Sequence, residues 1–583
     1  MTRKELVAGV KAIVGGAHCL VDARQTERFR KGFRAGEGEA ALVAIPGTLV
    51  EMWKVLKLAI EADCIVIMQA ANTGLTGGST PYGAYDRDVV IISTLRLDRI
   101  DILDGGRQIL SQPGGTLFAL ETLLKPLGRQ PHSVIGSSCI GASIIGGVCN
   151  NSGGALVRHG PVYSELSLYA ERTASGELRL VNHLGIDLGE TAEEMLGRLD
   201  RGAIDPSTVR SGTGRASDDG YAKRVRDVDA ATPARFNADP RGLFESSGSA
   251  GKVAVFAVRL DTFPVVAEPT VFYIGTNDTA ELTTLRRRLL TELSELPISG
   301  EYMHRDCFDI ARRFGKDVLL MIHWLGTARL PMFFAAKGSI DAWLGGKRFF
   351  PKNLTDRLLQ TIADLLPEAL PKRLLDFREK FEHHLILNVP GSVAQETRAM
   401  LDVTVGPGGW FACDAMEAKK AMLNRFAAAG ATVRYAAVRP EEVEDILALD
   451  IALRRDDRDW FETLPPDVDA QIGRKIYYGH FLCHVLHQDY ALKKGTDAAA
   501  IKARMLEILD ERGAEYPAEH NVGHIYRAKP ALAEHYRALD PTNSFNPGIG
   551  KTSREKCYGS ACDCQAAPSA RIAEEVVETA PGE

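Results

Sequence analysis

The stretch CIVIMQAANTGLTGGSTP, residues 64 to 81, changes character in its middle. It opens as an apolar run of strand length and continues as a loop of Ala, Asn, Thr, Gly and Ser. Glycine lets backbone N–H groups approach a ligand without an intervening side chain, and successive free N–H groups form a nest for an anion such as a pyrophosphate. A tight surface turn is the alternative interpretation of this stretch taken alone.

Two further glycine-rich stretches lie in the same half of the chain. Residues 136–154 read GSSCIGASIIGGVCNNSGG, and residues 246–252 read SSGSAGK. The first of these predicts a short, closely packed helix between two loops that expose backbone. Three such stretches beside apolar runs favour one large polyphosphate ligand over three unrelated turns.

The texture of the sequence changes along the chain. Residues 63–68, 87–94 and 251–260 are apolar runs typical of strands, and residues 116–128 have helical spacing. Beyond about residue 262 glycine becomes less frequent. Amphipathic patterns there predict long helices over 356–370 and 441–455. Residues 200–240 are charged and irregular, which predicts a surface excursion. Gly, Pro and Asn return from about residue 513.

Composition and motifs exclude several classes of protein. A net charge of -6 argues against a general nucleic-acid binder. Lys11 interrupts the first apolar stretch, so it predicts a helix rather than a signal peptide, and no run is long enough to span a membrane. Gly550, Lys551 and Thr552 resemble the end of a P-loop, but Phe545 stands where that motif needs glycine. These features predict a soluble or peripheral protein.

The glycine-rich segments resemble those of a flavoprotein family. QAANTGLTGGSTP (69–81), residues 136–161 and SSGSAGKVAVFAV (246–258) resemble, in this order, the FAD-binding segments of the vanillyl-alcohol oxidase family. EHNVG (519–523) and DPTNSFNPGIGK (540–551) resemble its 2-hydroxy-acid dehydrogenase branch.

The resemblance implies an α+β fold with a two-subdomain FAD-binding domain, a cap domain and a membrane-contacting insertion. The implied segments are an FAD domain over 1–261, the cap over 262–303 and 381–512 with a smaller insertion near 419–442, the membrane-contacting insertion over 304–380, and a returning segment over 513–583 that ends in a mobile tail.

The resemblance also implies which residues hold FAD. Because the first loop contains neither His nor Cys, we expect non-covalent FAD, although His132 and His159 are candidates for a covalent link. The cofactor-binding residues implied are Ala70, Ala71, Asn72, Thr73, Gly74, Gly78, Ser79, Gly136, Ser143, Gly153 and Val255.

The implied reaction is the oxidation of D-lactate to pyruvate, with electrons passed to a membrane quinone. A neutral imidazole accepts a proton from a substrate hydroxyl near pH 7, and the resemblance gives this role to His520. Glu519 is expected to orient His520 or to ligate a metal. The alternatives are another D-2-hydroxy acid such as D-2-hydroxyglutarate with a different acceptor, or a membrane-docking flavin-binding protein without turnover.

A histidine pair suggests a metal site. Related branches carry His-x-Gly-Asp-Gly-Asn-x-His, and His480 and His487 have that spacing, but Phe-Leu-Cys-His-Val-Leu lies between them. With Glu519 they would suit a divalent metal such as Zn²⁺. On one plain strand, positions seven apart face opposite sides, so convergence requires a bend. Otherwise these histidines line a half-buried strand or contact the substrate carboxylate.

A basic residue should neutralise the substrate carboxylate, and Arg30, Arg34 and Arg454 are the candidates.

Residues 343–359 mix Trp343 and two phenylalanines with Lys347, Arg348 and Lys352. Aromatic side chains favour the headgroup interface, and each basic residue near anionic lipid contributes about 1 kcal/mol. The resemblance places membrane contact here, and it implies a peripheral respiratory enzyme at the cytoplasmic face of the inner membrane, on an anionic lipid surface.

Overall fold

The first sheet of the computed structural model is mostly parallel, and it positions the first glycine loop. The structure describes residues 1–133, 141–326 and 353–560. The sheet has the order β1-β2-β4-β3, with β1 antiparallel at its edge. Its elements are α1 (Arg3–Val14), β1 (Cys19–Leu20), α2 (Ala23–Arg30), β2 (Leu42–Ala44), α3 (Leu49–Glu61), β3 (Ile65–Gln69) and β4 (Val89–Ser93). The apolar runs of β3 and β4 are buried, as is usual in parallel sheets.

The second sheet is antiparallel and has the order β5-β6-β10-β8-β9. The predicted helix after residue 136 is confirmed as a short helix, α5, which packs beside β10. The elements of this part are β5 (Ile100–Leu103), β6 (Gln108–Ser111), α4 (Leu117–Leu124), β7 (Arg129–Gln130), α5 (Ile144–Cys149), β8 (Ser167–Arg172), β9 (Leu178–Asn182), α6 (Ala192–Arg201), α7 (Tyr221–Arg226), β10 (Ala254–Asp261) and β11 (Phe263–Pro264).

The region 200–240 is only partly the surface excursion that its charge predicts: residues 201–215 are exposed or partly exposed, but the later residues include buried ones. Helix α7 buries Tyr221 completely, and Arg235 is only 1% exposed. Arg235 contacts the buried Glu519, which lies far away in sequence, and composition does not show this pairing.

The cap is built on one seven-stranded antiparallel sheet of order β15-β12-β14-β13-β17-β18-β16. Apolar side chains of one sheet face pack with α8 and those of the other face pack with α9 and α14, in two core clusters. The elements are β12 (Thr270–Thr276), α8 (Thr279–Thr291), β13 (Ser299–His304), α9 (Arg305–Phe314), α10 (Lys316–Leu325), α11 (Leu354–Leu365), α12 (Lys372–Lys380), β14 (His383–Val389), α13 (Ala394–Thr404), β15 (Trp410–Ala412), α14 (Ala415–Val438), β16 (Val443–Ala452), α15 (Pro466–Asp469), β17 (Ile472–His480), β18 (Val485–Lys493) and α16 (Ala498–Glu511).

The helix predicted over 441–455 is wrong, because this stretch forms strand β16. It pairs with β18 from Val443 to Ala452. Pairing with a distant strand overrides the local helical pattern, since strand preference depends on the partners a segment finds.

Helices α9, α10, α11 and α12 form the described part of the segment between β13 and β14. The helix predicted over 356–370 is confirmed by α11. Within the residues described, no helix is long and apolar enough to cross a bilayer. The basic and aromatic patch around Trp343, Lys347, Arg348 and Lys352 lies outside the described residues.

The last part of the chain returns to the first sheet. Helix α17 (Pro530–Leu539) is followed by a loop in which Ser544 O accepts from Val66 N at 2.9 Å. Asn546 Nδ2 donates to Gly78 O at 2.7 Å and to Ala250 O at 2.8 Å. One buried amide therefore joins the first and third glycine-rich stretches.

Candidate functional site

The first glycine loop follows β3 and is braced through Asn72. Asn72 has a φ of 54°, and its Nδ2 donates to Lys31 O at 2.7 Å. Its Oδ1 accepts hydrogen bonds from Ser79 Oγ at 3.0 Å and Thr80 Oγ1 at 3.2 Å. The loop conformation is thus fixed by side chains behind it.

The front of this loop is open. The backbone N–H groups of residues 71–74 have no acceptor among the described residues. A Cβ added to Gly74 would meet no heavy atom within 4 Å. Free N–H groups in front of open space are what a pyrophosphate requires.

Buried polar atoms without partners lie around the other two glycine-rich stretches. Among the described residues these atoms include Ser133 Oγ, Asn150 Oδ1, Asn151 Oδ1, Ser246 Oγ, Ser249 Oγ and Asn546 Oδ1. Buried polar groups are normally hydrogen-bonded, so such a set indicates a polar ligand. The free amides and these uncharged polar atoms fit FAD.

Three other predicted cofactor residues have placements of a different kind. Ser143 caps α5 by accepting from Gly146 N at 3.0 Å. The Val255 side chain packs into the core between the second sheet and α5, so only its backbone is available to a ligand. Gly136 lies outside the described residues.

Gly78 and Gly153 both face the segment that carries EHNVG. A Cβ on Gly78 would lie 2.3 Å from Asn521 Nδ2, and a Cβ on Gly153 would lie 2.5 Å from Glu519 Oε1. Both positions therefore need glycine so that the cofactor loops can contact the C-terminal segment.

His480 and His487 lie on two strands of one hairpin rather than on one strand. His480 ends β17, a 3₁₀ turn from Phe481 to Cys483 follows, and His487 lies in β18. His487 pairs with Tyr478, two residues before His480. The two histidines are therefore diagonal neighbours on one sheet face, and the hairpin supplies the reversal that a single strand lacked.

Glu519 reaches these two histidines from the C-terminal segment. His480 Nε2 lies 3.3 Å and His487 Nε2 lies 3.9 Å from Glu519 Oε2. One donor atom from each residue lies within 4.8 Å of the others. Two imidazoles and a carboxylate at this spacing fit a divalent metal of the zinc type.

The other oxygen of Glu519 contacts Arg235, which is buried. Burial alone would raise the pKa of Glu519, but Arg235 and His480 hold that pKa below its usual range. Burial would lower the pKa of His480, but Glu301 and Glu519 raise it to about 10. In the absence of a metal ion, the two carboxylates beside His480 therefore favour its protonated form.

A second layer of charged residues positions the histidines, and the sequence analysis missed it. Glu301 Oε1 lies 2.7 Å from His480 Nδ1, and Arg425 Nη2 lies 3.0 Å from Glu301 Oε2. Asp450 Oδ1 lies 3.3 Å from His487 Nδ1. A carboxylate inside an otherwise apolar strand, as Asp450 is in LALDIA, was the available signal.

Asp450 is also the carboxylate beside His520, a position for which Glu519 was expected. His520 Nδ1 lies 3.0 Å from Asp450 Oδ2, and the backbone N–H groups of Glu519 and His520 donate to the same oxygen at 2.8 and 3.1 Å. Burial alone would lower the pKa of His520, but Asp450 outweighs it and raises that pKa. The imidazole remains partly open, with 38% of its side chain exposed.

The structure ranks the three candidate arginines. Arg30 bonds Glu39 at 3.1 Å and the carbonyls of its own segment, and Arg454 is paired with Asp456 at 2.6 Å. Arg34 has no hydrogen-bond or ion-pair partner among the described residues, and its charge acts on His520 and Asp489. Only Arg34 is left available for an external anion.

Two family models match the chain. The model described as "FAD binding domain" matches residues 40–178, and the one described as "D-lactate dehydrogenase, membrane binding" matches residues 271–558. The quinone-dependent D-lactate dehydrogenase of Escherichia coli is 57% identical over 547 residues, which are 93% of this chain and 96% of that protein. The Haemophilus influenzae protein of the same name is 54% identical over 96% of this chain and 100% of its own length.

The solved structures show the fold. p-Cresol methylhydroxylase with substrate bound has a TM-score of 0.56 at 12% sequence identity, over 94% of this chain and 97% of that chain. This likeness and the FAD-binding family model confirm the expected α+β fold, with an FAD-binding domain of the vanillyl-alcohol oxidase type.

The open space before Gly74 gives the first prediction. Gly74→Val should weaken FAD binding about tenfold or more, because overpacking a contact costs about 1–3 kcal/mol. The thermal stability of the apoprotein should not change, since no described atom lies there. FAD titration of the apoprotein measures the affinity.

Gly16→Val is the matched control, because a Cβ at Gly16 also meets nothing within 4 Å and Gly16 lies outside the glycine-rich stretches. Equal FAD affinity of the Gly74→Val protein and the control would contradict the assignment of the first loop.

Proposed function

Because the chain belongs to the quinone-dependent D-lactate dehydrogenase family, as its identity to full-length relatives shows, we propose that it oxidises D-lactate to pyruvate and passes the electrons through FAD to a membrane quinone. The observation that supports the site is the His520–Asp450 pair beside the glycine-rich stretches. FAD, when bound, accepts the two electrons and the hydrogen of the lactate C2–H bond.

His520 is the proposed base. With Nδ1–H donating to Asp450, Nε2 carries the lone pair, and it has no hydrogen-bond partner among the described residues. Nε2 therefore accepts the hydroxyl proton of D-lactate while the C2–H bond breaks. Asp450 fixes the tautomer and stabilises the imidazolium that forms.

The histidine cluster is proposed to bind the reacting oxygen. Protonated His480, with Nδ1 facing Glu301 and Nε2 facing Glu519, places positive charge beside the proposed position of the substrate oxygen. A divalent ion held by His480, His487 and Glu519 would supply Lewis acidity at the same place. Either arrangement favours formation of the ketone.

Anaerobic addition of D-lactate to the purified yellow protein should bleach its flavin band, and a quinone analogue should restore it. His520→Gln should slow this bleaching about 10²- to 10⁴-fold, because general-base catalysis contributes that much. Stopped-flow absorbance measures both rates. L-Lactate and D-2-hydroxyglutarate are the substrate controls.

Two results would contradict this assignment. Faster bleaching by D-2-hydroxyglutarate than by D-lactate would change the substrate. Bleaching of the His520→Gln protein at the wild-type rate would remove His520 as the base, whereas absence of bleaching by any hydroxy acid would favour flavin binding without turnover.

Arg34 is proposed to hold the lactate carboxylate. It lies on the 31–38 loop, where Lys31 accepts a hydrogen bond from Asn72 of the first glycine loop. A Cβ on Gly36 would lie 3.2 Å from Gly77 Cα, so the two loops are packed together. The loop that carries Arg34 thus packs on the first glycine loop, and the charge of Arg34 reaches the proposed base, His520.

Arg34→Met should raise the KM for D-lactate about ten- to hundredfold and change kcat less, since a hydrogen bond to a charged group is worth about 1.5–3 kcal/mol. Steady-state kinetics measure both constants. Arg454→Met is the matched control, because that guanidinium is already paired with Asp456. A larger KM effect in the control would refute the ranking.

The membrane-contacting surface is proposed to include α11 and the end of α10. Leu358, Ile362 and Leu365 follow each other at helical spacing and are 56%, 55% and 82% exposed, and Trp324 is 63% exposed. The occupant proposed is the anionic cytoplasmic leaflet, because a quinone acceptor lies in the bilayer and basic segments are attracted to that leaflet.

Replacing Leu358, Ile362 and Leu365 by Ser should reduce co-sedimentation with anionic vesicles about tenfold or more, because burying each such side chain contributes about 1.5–3 kcal/mol. Leu123→Ser with Leu127→Ser, two exposed leucines of the FAD-binding half, is the control. Unchanged co-sedimentation would mean that lipid binds elsewhere. If the wild-type protein is a dimer in solution and the triple variant a monomer, a second copy of the chain would be the occupant of this surface.

A further inference from the structure

Arg235 lies between the second glycine-rich stretch and the acid–base cluster. It is 1% exposed, and its Nη2 donates to Gly154 O at 2.7 Å and to Glu519 Oε1. One guanidinium nitrogen therefore joins a carbonyl of the cofactor region to a carboxylate of the cluster.

The segment that carries Arg235 is attached on both sides. Asn237 Nδ2 donates to Asn150 O at 2.7 Å, and Asn151 Nδ2 donates to Asn237 O at 3.2 Å. Asn237 N donates to Pro517 O at 3.3 Å, two residues before Glu519. The position of Arg235 is thus fixed relative to both parts it joins.

The two oxygens of Glu519 have separate partners. Oε1 contacts Arg235 and lies where a Cβ on Gly153 would be only 2.5 Å away. Oε2 faces His480 at 3.3 Å and His487 at 3.9 Å. The carboxylate therefore packs where a side chain at position 153 would not fit, and its Oε1 is held by the guanidinium.

We propose that Arg235 is a positioning residue of the reaction: it holds Glu519 so that one oxygen faces the two histidines, and it sets the distance between this cluster and the cofactor loops. The inference deepens the proposed function and rests on it. Arg235 acts through Glu519 and not on the substrate.

Charge neutralisation alone would be a different role, and lysine distinguishes the two. Arg235→Lys keeps the positive charge but replaces the rigid planar guanidinium, whose Nη2 donates to both acceptors, by an ammonium on a flexible stem. If Arg235 positions Glu519, both Arg235→Lys and Arg235→Met should lower kcat about 10- to 100-fold. Loss of a group that orients a metal-ligating side chain usually has an effect of this size. If charge alone matters, Arg235→Lys should retain wild-type kcat.

The decisive experiment is a double-mutant cycle between Arg235→Met and Glu519→Gln in the FAD-loaded enzyme. Because the two residues act as one unit, Arg235→Met should cause less than about a threefold further loss of kcat in the Glu519→Gln background. Multiplication of the two separate losses would overturn the proposal, as would wild-type kcat in the lysine variant.

Arg224→Met is the matched control. Arg224 lies over the same Tyr221 ring as Arg235, at 5.4 Å against 5.9 Å from the ring centroid, and pairs with Asp218. It makes no described contact with Glu519, so its loss should leave kcat within about twofold of wild type. A loss in the control equal to that of Arg235→Met would assign the effect to the stability of the segment and refute the proposal.

A crystal structure of Arg235→Met with FAD bound gives a readout that does not need turnover. We expect the Glu519 carboxylate to turn away from His480 and His487 at unchanged FAD occupancy. An unmoved Glu519 would overturn the positioning role even if the substrate proved to be another hydroxy acid. Failure of the proposed function would appear separately, as a wild-type flavin that D-lactate does not reduce.

Discussion

The site depends on one buried carboxylate, that of Asp450 in β16. It accepts hydrogen bonds from the backbone N–H groups of Glu519 and His520, and it faces the imidazoles of His487 and His520. The cap sheet and the returning C-terminal segment are therefore held in register by the group that orients the base. Because Asp450 is only 5% exposed, loss of these partners would leave a buried carboxylate without compensation.

Charges alternate outward from Asp450. Glu519 lies between Arg235 and the histidine pair, and Glu301 lies between His480 and Arg425. Glu519 and Glu301 each have an arginine on one side and an imidazole on the other, which offsets the cost of desolvation through geometry and hydrogen bonds. Because Arg425 belongs to α14, the cap helix also contributes to the orientation of His480. The groups proposed to act on the substrate thus come from the cap and from the C-terminal segment, whereas cofactor binding is proposed to depend on backbone.

Local sequence patterns predicted the parts of the site whose function lies in the backbone. The strand and loop at residues 64–81 were predictable, since free N–H groups and glycine are properties of the loop itself. The pairing of His480 with His487 was not, because it depends on a turn at residues 481–483 that converts one apparent strand into two. The position of Asp450 was not predictable, because the local pattern around it predicts a helix. The same holds for Arg235, because the local pattern around it predicts a surface loop. In each case the deciding partner lies more than 60 residues away, at Glu519 for Arg235 and at His520 for Asp450.

This division of labour explains how one fold serves different reactions. Backbone amides can bind a diphosphate whatever side chains surround them. This agrees with a fold that is shared with p-cresol methylhydroxylase at only 12% sequence identity. The groups proposed to act on the substrate come instead from the β17–β18 hairpin, β16 and the C-terminal segment, where single residues can change without disturbing the loops. Function therefore follows from the side chains of the cap and not from the fold. Arg235 and Gly153 lie between the loops proposed to bind the cofactor and the residues proposed to act on the substrate. A change at either position should alter the placement of these residues relative to the cofactor, while the loops and the residues themselves stay intact.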